Sequence, residues 1–354
     1  MGDRLEILPV RGIGEVTPGT DLAESIATAA PWLRDGDVLV VTSKIVSKAE
    51  GRLVNVPTGG PERDAAREAV LTAETARPVA RRGEIRIVAT HHGFVMASAG
   101  IDASNVDPSA LVLLPKDPDA SARSLRQALR DRHGLRVAVI ISDTMGRPWR
   151  NGLTDVAIGV AGLEPIDDYR GRVDAYGNEL RVTQVAVADE LCAAAELVKG
   201  KTDGVPVAVV RGFPTDPQAG DGPGAAALVR EASQDLFSLG TAEARAYGLR
   251  DAAALGDAAA FRDTTVDDRI VAAAIASVTA ANARFTLEVT RDGPGVPAHT
   301  THLVRCSATS SPVGFGADVH RLRCALAAEG LATVWLPDPD SAGGLLAVGA
   351  PVEG

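Results

Sequence analysis

The sequence predicts an α/β (mixed α+β) fold, and three observations carry that reading. Apolar runs at residues 38–41, 111–114, 137–141 and 205–210 have the unbroken character of strands buried on both faces. Stretches with helical periodicity precede or separate them, at 21–33, 62–76 and 119–132. The two kinds alternate from residue 1 to about 245, as they do in layered sheet-and-helix domains.

Residues 5–10 open the chain as a strand, interrupted near its end by Pro9, and Gly12-Ile13-Gly14-Glu15 is a turn. In 21–33, Leu22, Ile26, Ala29 and Leu33 share one helical face. Asp21 and Glu24 suit its first turn, Pro31 disturbs its last, and Asp35-Gly36-Asp37 stops it. The Ala-rich, charged helix at 62–76 is closed off by Pro78. Residues 84–88 and 94–97 read as strands, 119–132 as a helix with Leu125 and Leu129 on one face, and 137–141 as the strongest strand. A helix begins near Ala188 and runs towards Lys199.

Composition changes near residue 247, which divides the chain into regions 1–246 and 247–354. In the second region 251–261 is Ala-rich, 266–281 reads as a helix and 284–290 as a strand. Residues 290–311, rich in Gly, Pro, Thr and Ser, read as loop. Residues 319–328 form an amphipathic helix with Leu322 and Leu326 on one face, and 333–336 form a short strand. So few anchors make this region a weak candidate for a complete domain.

The formal net charge of −10 argues against a nucleic-acid or anionic-membrane partner, though not against an anionic small ligand bound through local charge or metals. Cys192, Cys306 and Cys324 have neither disulfide-framework nor metal-ligand spacing and read as apolar fillers. With no apolar run near 20 residues and no signal-peptide core, the cytoplasm is the expected location.

There is no GxxxxGK[ST] phosphate loop and no GxGxxG after a strand. Four other segments look chemical. Thr42-Ser43-Lys44-Ile45-Val46-Ser47-Lys48 puts hydroxyls and two lysines after a buried strand, which suits a phosphate site; a polar strand-to-helix turn with surface lysines is the plain alternative. In 99–106, Asp102 and Asn105 offer hard oxygen ligands of the kind Mg²⁺ or Mn²⁺ prefers; a loop bonding to itself is the alternative. In 140–152 a strand ends at Asp143-Thr144 and turns through Gly146 with Arg147 and Arg150. A carboxylate there is costly unless paired or metal-bound, and the arginines suit phosphate or carboxylate; the alternative is a capping Asp143 with solvated arginines. The fourth, 173–180, contains Tyr176-Gly177-Asn178 and reads equally as a hairpin turn or a substrate loop. His91 and His92 are not expected to be catalytic, and Trp32 and Trp335 read as core.

Taken together and in order, these segments resemble the coenzyme F420:L-glutamate ligases, most of all the actinobacterial two-domain kind. The residues carrying the resemblance include 6–10, 31–38, 41–44, 46–48, 50–52, 104–106, Asp143-Thr144-Met145-Gly146-Arg147, 149–152, 176–180 and Leu197-Val198-Lys199-Gly200-Lys201. The similarity covers about residues 4 to 246. It implies that Ile13, Gly14, Glu15 and Val16, with Ser43, Lys48 and Asn105, contact GTP. Asp102 and Asp143 would bind one divalent metal and Thr144 a second, Mg²⁺ or Mn²⁺, with K⁺ alongside. Lys48, Arg147 and Arg150 are the candidates for charge stabilisation or for gripping substrate. The implied activity adds L-glutamate, as a γ-linked chain, to F420-0 through an acyl phosphate, in an intertwined homodimer.

The second region departs from that family. It spans about half of a nitroreductase-like domain, and 253–263 lacks the arginine cluster of the flavin segment, although 321–335 still resembles the late helix and strand. FMN binding is therefore not expected, and a truncated remnant helping dimerisation is the preferred reading. Competing readings are a metal-dependent nucleotide phosphohydrolase, a flavin-dependent reductase of dehydro-F420-0 acting through the second region, and a silent binding protein.

Overall fold

The computed structural model describes residues 4–104, 107–288 and 295–352. The chain divides into two compact units, Met1–Glu243 and Ala244–Gly354.

The first unit begins with β1 (Glu6–Val10), α1 (Leu22–Ala29), β2 (Val38–Thr42) and α2 (Ser43–Ala49). There follow β3 (Leu53–Asn55), α3 (Gly60–Glu74), and the strands β4 (Thr75–Arg82), β5 (Ile85–Thr90) and β6 (Val95–Ala97), which form a small antiparallel sheet. Next come β7 (Ala110–Val112), α4 (Pro118–His133) and the long hairpin β8 (Ala138–Arg147) and β9 (Arg150–Ala161). The short pair β10 (Asp167–Asp168) and β11 (Gln184–Val185), then α5 (Val187–Lys199) and β12 (Val207–Arg211), complete the unit's main elements.

The central sheet has the order β1-β12-β2-β8-β9. Only β2 and β8 run parallel; the other neighbours are antiparallel. Alternate residues of β2 enter different cores. Leu39 and Val41 pack with Ile26 of α1 and Leu125 and Leu129 of α4, while Val38 and Val40 pack with Leu191, Cys192 and Ala195 of α5. The unbroken apolar run thus reflects a strand with helices on both sides. Fully buried side chains such as Ile26 and Leu129 each contribute roughly 1.5–3 kcal/mol of transfer free energy.

Two close approaches lock the layers. An added Cβ at Gly159 of β9 would overlap the Pro118 carbonyl at the start of α4. Asp119 of α4 accepts from Val160 N at 2.8 Å and Ala225 N at 2.7 Å. At the start of β2, the buried Asp37 takes both Nε and Nη2 of Arg211, at 2.8 and 2.7 Å, and accepts from Arg34 N at 2.9 Å. Arg211 also donates to Trp32 O at 3.0 Å and lies over the Trp32 ring.

In the second unit, α6 (Thr241–Ala253), which starts at the unit boundary, leads to β13 (Phe261–Arg262), α7 (Asp268–Ser277), β14 (Ala283–Leu287), β15 (His302–Ala308), α8 (Pro312–Ala328), β16 (Ala332–Pro337) and β17 (Gly344–Pro351). β17 is central, paired with β15 on one side and with β16 and β13 on the other. Val271, Val304, Cys306, Leu322, Leu326, Leu346 and Val348 form its core, with Trp335 packed against it.

Several expectations are corrected. Helix α1 ends at Ala29 instead of 33, because the residue before a proline avoids helical ψ. Residues 43–49, for which a polar strand-to-helix turn with surface lysines is the plain alternative to a phosphate segment, are helix α2, with Ser43, Ile45, Val46 and Ser47 buried. Pro78 lies inside β4, next to a register shift that absorbs its missing N–H. Strand β9 was not anticipated, nor was the extension of β8 through Asp143 and Thr144. Residues 302–308, read as loop, form the buried strand β15, and β17 went unrecognised; with them the second unit has a core of its own. Among the described residues, no helix is long and apolar enough to cross a membrane.

Replacing Asp37 by Ala leaves the half-buried Arg211 guanidinium without its carboxylate and Arg34 N without its acceptor. Urea denaturation is expected to show a loss of about 1–3 kcal/mol, the usual cost of leaving such donors unsatisfied.

Candidate active site

Because β2 and β8 are parallel, their carboxyl ends finish side by side, with Thr42 opposite Ser142. Ligands of α/β sheets gather at such ends. Beyond β2 lie Ser43, Lys44 and Lys48 on α2; beyond Ser142, β8 continues into Asp143 and Thr144. A register shift in the β8–β9 pairing, at Ile141 and Ser142, leaves Ile158 as the extra residue of β9 and puts Thr144 directly opposite Asp155.

Asp155 organises this end of the hairpin. Its Oδ2 accepts from Ser142 Oγ at 3.0 Å and from Lys199 Nζ at 2.8 Å, and its Oδ1 accepts from Thr144 Oγ1 at 2.9 Å. Lys199 also donates to Ser142 Oγ at 2.9 Å. Asp155 and Lys199 side chains are each only 2% exposed. Burial would raise the Asp155 carboxyl, but the adjacent Lys199 ammonium outweighs it and holds the group below the usual carboxylate range. Lys201 then donates to Thr144 Oγ1 at 2.8 Å and pairs with Glu196 at 2.6 Å.

Asp102 arrives on a loop pinned by a bridge to Val112, with Asp102 N donating to Val112 O at 2.9 Å and Val112 N to Asp102 O at 2.8 Å. The approach is strained: Ser98 and Ala99 adopt φ of 50° and 54°, the left-handed region that non-glycine residues avoid. At Gly100, with φ 70°, a Cβ would overlap Leu114. Asp102 accepts from Ser104 N at 2.6 Å and pairs with Lys44 Nζ at 2.6 Å. Burial opposes ionisation, but the Lys44 hydrogen bond keeps its pKa below the ordinary value.

Asp143 differs. Burial, reinforced by the nearby charges of Asp155 and Asp102, pushes its carboxyl up to about 6, although Thr144 N donates to its Oδ1 at 2.8 Å and Ser43 also hydrogen-bonds it. The structure thus brings Ser43, Asp102, Asp143 and Thr144 together. Lys48 lies beside them on α2 and holds Glu15 at 2.7 Å, which draws the 13–16 loop towards that helix. Val16 is buried in the core, while Ile13 and Gly14 line a cleft of about 360 Å³ with Asp21, Ser25 and Thr28. Asn105 lies outside the described residues.

Arg147 and Arg150 face each other at the far end of the hairpin, and both are exposed. Arg147 is four residues past Asp143, roughly 13 Å along a strand, so within one chain the structure does not bring these arginines to the aspartates. Residues 173–180 form a turn in which Asp174 accepts from Tyr176 N and Asn178 N, both at 2.8 Å. Sequence reasoning missed Asp155, Lys199 and Lys201 as site residues. The two lysines stood in a quoted motif without a role, and Asp155 had no local signal at all.

Comparison with known proteins now bears on this geometry. The family model described as F420-0:Gamma-glutamyl ligase matches residues 12–212, which include every described site residue named above. The chain belongs to this family. The coenzyme F420:L-glutamate ligase of Methanothermobacter thermautotrophicus is 43% identical over 249 residues, covering 66% of this chain and 98% of that protein. Proteins of the same name from Methanopyrus kandleri and Archaeoglobus fulgidus are 43% and 42% identical, over 66% and 59% of this chain and 97% and 88% of theirs. Membership places the chain among acid–amino-acid ligases. A solved NADH dehydrogenase/NAD(P)H nitroreductase from Parabacteroides distasonis is similar to 30% of the chain and covered over 89% of its own length, at 16% identity and a TM-score of 0.27; at that score nothing follows about fold or activity.

The raised Asp143 pKa fixes the sign of a stability effect in the metal-free ligase. The folded state holds the proton more tightly than the unfolded chain, so Asp143 costs nothing below about pH 4, its cost builds between about pH 4 and 6, and it is constant above that. Asp143→Asn is therefore expected to be more stable than the parent at pH 8. Because the carboxyl keeps some solvent, the gain should be about 1–2 kcal/mol, less than the full shift allows. Denaturation at pH 4 should show the two proteins equal.

Proposed function

We propose that this chain joins L-glutamate to coenzyme F420-0 at the expense of GTP, and then extends a γ-linked chain. Family membership supports the ligase reaction. The convergence of Asp102, Asp143 and Thr144 with Ser43, Lys44 and Lys48 at the ends of the two parallel strands supports the nucleotide and metal requirement.

Amide formation from a carboxylate needs a leaving group better than oxide. The terminal carboxylate of F420-0 attacks the γ-phosphorus of GTP, GDP departs, and a mixed acyl phosphate results. The glutamate amine then attacks the acyl carbon, inorganic phosphate leaves, and the amine proton passes to solvent. The γ-carboxylate of the added residue remains free for the next round.

The donor set fits two divalent ions such as Mg²⁺ or Mn²⁺, because every candidate ligand is a hard oxygen. Among the described residues, no three His, Cys, Asp or Glu side chains converge on one point. That suits an ion held by one or two carboxylates and completed by phosphate oxygens and water. Asp102 and Asp143 would hold one ion and Thr144 the other; K⁺ belongs to the same reading. Such ions neutralise charge developing on the transferred phosphoryl group. The chain's own groups do the rest. Ser43 and Lys48 donate to phosphate oxygens, and the 13–16 loop, tied down through Glu15, borders the nucleotide. Asn105 belongs to the same reading by the family resemblance.

Arg147 and Arg150 serve substrate gripping or charge stabilisation from a second copy of the chain. The hairpin end that carries them also exposes Trp149 and Leu153, at 85% and 69%, which suits a homodimer. The second unit is a shortened nitroreductase-like region that does not hold FMN. The enzyme works in the cytoplasm, on small molecules, without nucleic acid or membrane.

Purified protein incubated with F420-0, L-glutamate, GTP and Mn²⁺ is expected to give stepwise glutamyl additions by mass spectrometry. EDTA should abolish them and excess Mn²⁺ restore them. Asp143→Asn should lower kcat/KM on the order of 100-fold or more, the several kcal/mol that metal charge stabilisation supplies. GTP hydrolysis that proceeds without glutamate incorporation would sink the ligase reading.

A further inference from the structure

One candidate ligand of each divalent ion, Asp102 and Thr144, already bonds a lysine ammonium. At Asp102, Lys44 Nζ lies 2.6 Å from Oδ2, 2.8 Å from Ser104 Oγ and 3.1 Å from Ser104 O. At Thr144, Lys201 Nζ lies 2.8 Å from Oγ1, 3.5 Å from Asp155 Oδ1 and 2.6 Å from Glu196 Oε1. Each ammonium is ringed by three oxygens, the environment a small cation takes.

We propose that Lys44 and Lys201 are resident counter-cations of the two oxygen clusters, holding them assembled in the metal-free enzyme and giving way when divalent ions enter. The proposal rests on the two-ion ligase reading above. Its physical basis is charge density. Asp102 and Asp155 each hold a lysine at hydrogen-bond or ion-pair distance and both act on Asp143 between them in the charge balance, so this end of the sheet needs positive charge in every state of the enzyme. An ammonium supplies one charge at hydrogen-bond distance; a divalent ion supplies two at about 2.1 Å, so exchange favours the ion.

Exposure separates these lysines from Lys199. Lys199 is 2% exposed and pinned between Asp155 and Ser142, a permanent partner. The Lys201 side chain is 60% exposed and that of Lys44 21%, so their flexible stems have room to swing out. A displaced ammonium stays within reach of the phosphates that arrive with the metal and can pair with them. Metal and nucleotide binding are then linked, each favouring the other.

The test is Mn²⁺ binding to the full chain without nucleotide, followed by the electron paramagnetic resonance signal of free Mn²⁺. Lys201→Met and Lys44→Met are each expected to bind one Mn²⁺ about three- to tenfold more tightly than the parent, since a competing like charge is gone. Lys201→Arg, which keeps the charge, should stay near the parent affinity. Metal-free Lys201→Met should also melt a few degrees lower than the parent, with the deficit closing at saturating Mn²⁺. Unchanged or weaker Mn²⁺ affinity in both variants overturns the proposal, and a gain in one alone overturns it for the other lysine. Absence of Mn²⁺ binding by the parent chain both without nucleotide and with GDP added would instead sink the two-ion reading, and this proposal with it.

Discussion

The buried ion pair between Lys199 and Asp155 is the interaction on which the site depends. Each ion loses several kcal/mol of hydration when it leaves water, and only close, well-satisfied geometry offsets that loss. Here Ser142, Thr144 and Lys201 saturate what Lys199 leaves open on Asp155. The pair joins the carboxyl end of α5 to the β8–β9 hairpin, two elements far apart in sequence, and so orients the strand segment that presents Asp143 and Thr144. Removing Lys199 would leave the buried Asp155 facing Lys201 at 3.5 Å, and removing Asp155 would leave the buried Lys199 facing Glu196 at 3.4 Å, each a longer contact than the pair itself.

Above that anchor, the site is a problem in charge balance. Three aspartates lie near one sheet end without converging on a single point, and their surroundings set them apart. Asp155 is neutralised by a buried lysine and Asp102 by a partly exposed one, whereas Asp143 is left with an elevated pKa. A carboxylate held in that condition binds a cation more readily than a solvated one. The strained turn through Ser98 and Ala99, which delivers Asp102, shows the same economy of position: local backbone cost is tolerated where the rest of the fold over-determines the geometry.

The second unit obeys ordinary packing rules by itself. Its sheet centres on β17, and α7 and α8 contribute Val271, Leu322 and Leu326 to its core. Its weak appearance in sequence came from Gly-, Ala- and Thr-rich stretches whose apolar residues are sparse, yet Val304, Cys306, Leu346 and Val348 alternate inward once β15 and β17 pair.

Local signals in the sequence determined a good deal. The apolar runs of β2, β8 and β12 marked the buried strands, because burial on both faces demands continuous hydrophobicity. Pro31 marked the end of α1 to within a few residues. Motif order was enough to propose the family, and Ser43, Asp102, Asp143 and Thr144 were nameable because each sits in a short segment of distinctive composition. Tertiary structure alone decided the rest. Strand β9 carries Gly152, Gly159 and Asp155, which locally read as turn formers, and it becomes a strand only against β8. Asp155, Lys199 and Lys201 matter through partners 11 to 57 residues away, and no neighbouring residue records such a contact. A charged side chain looks the same in sequence whether it is solvated or buried against its opposite; the difference is made by strand pairing and desolvation, which exist only in the folded chain.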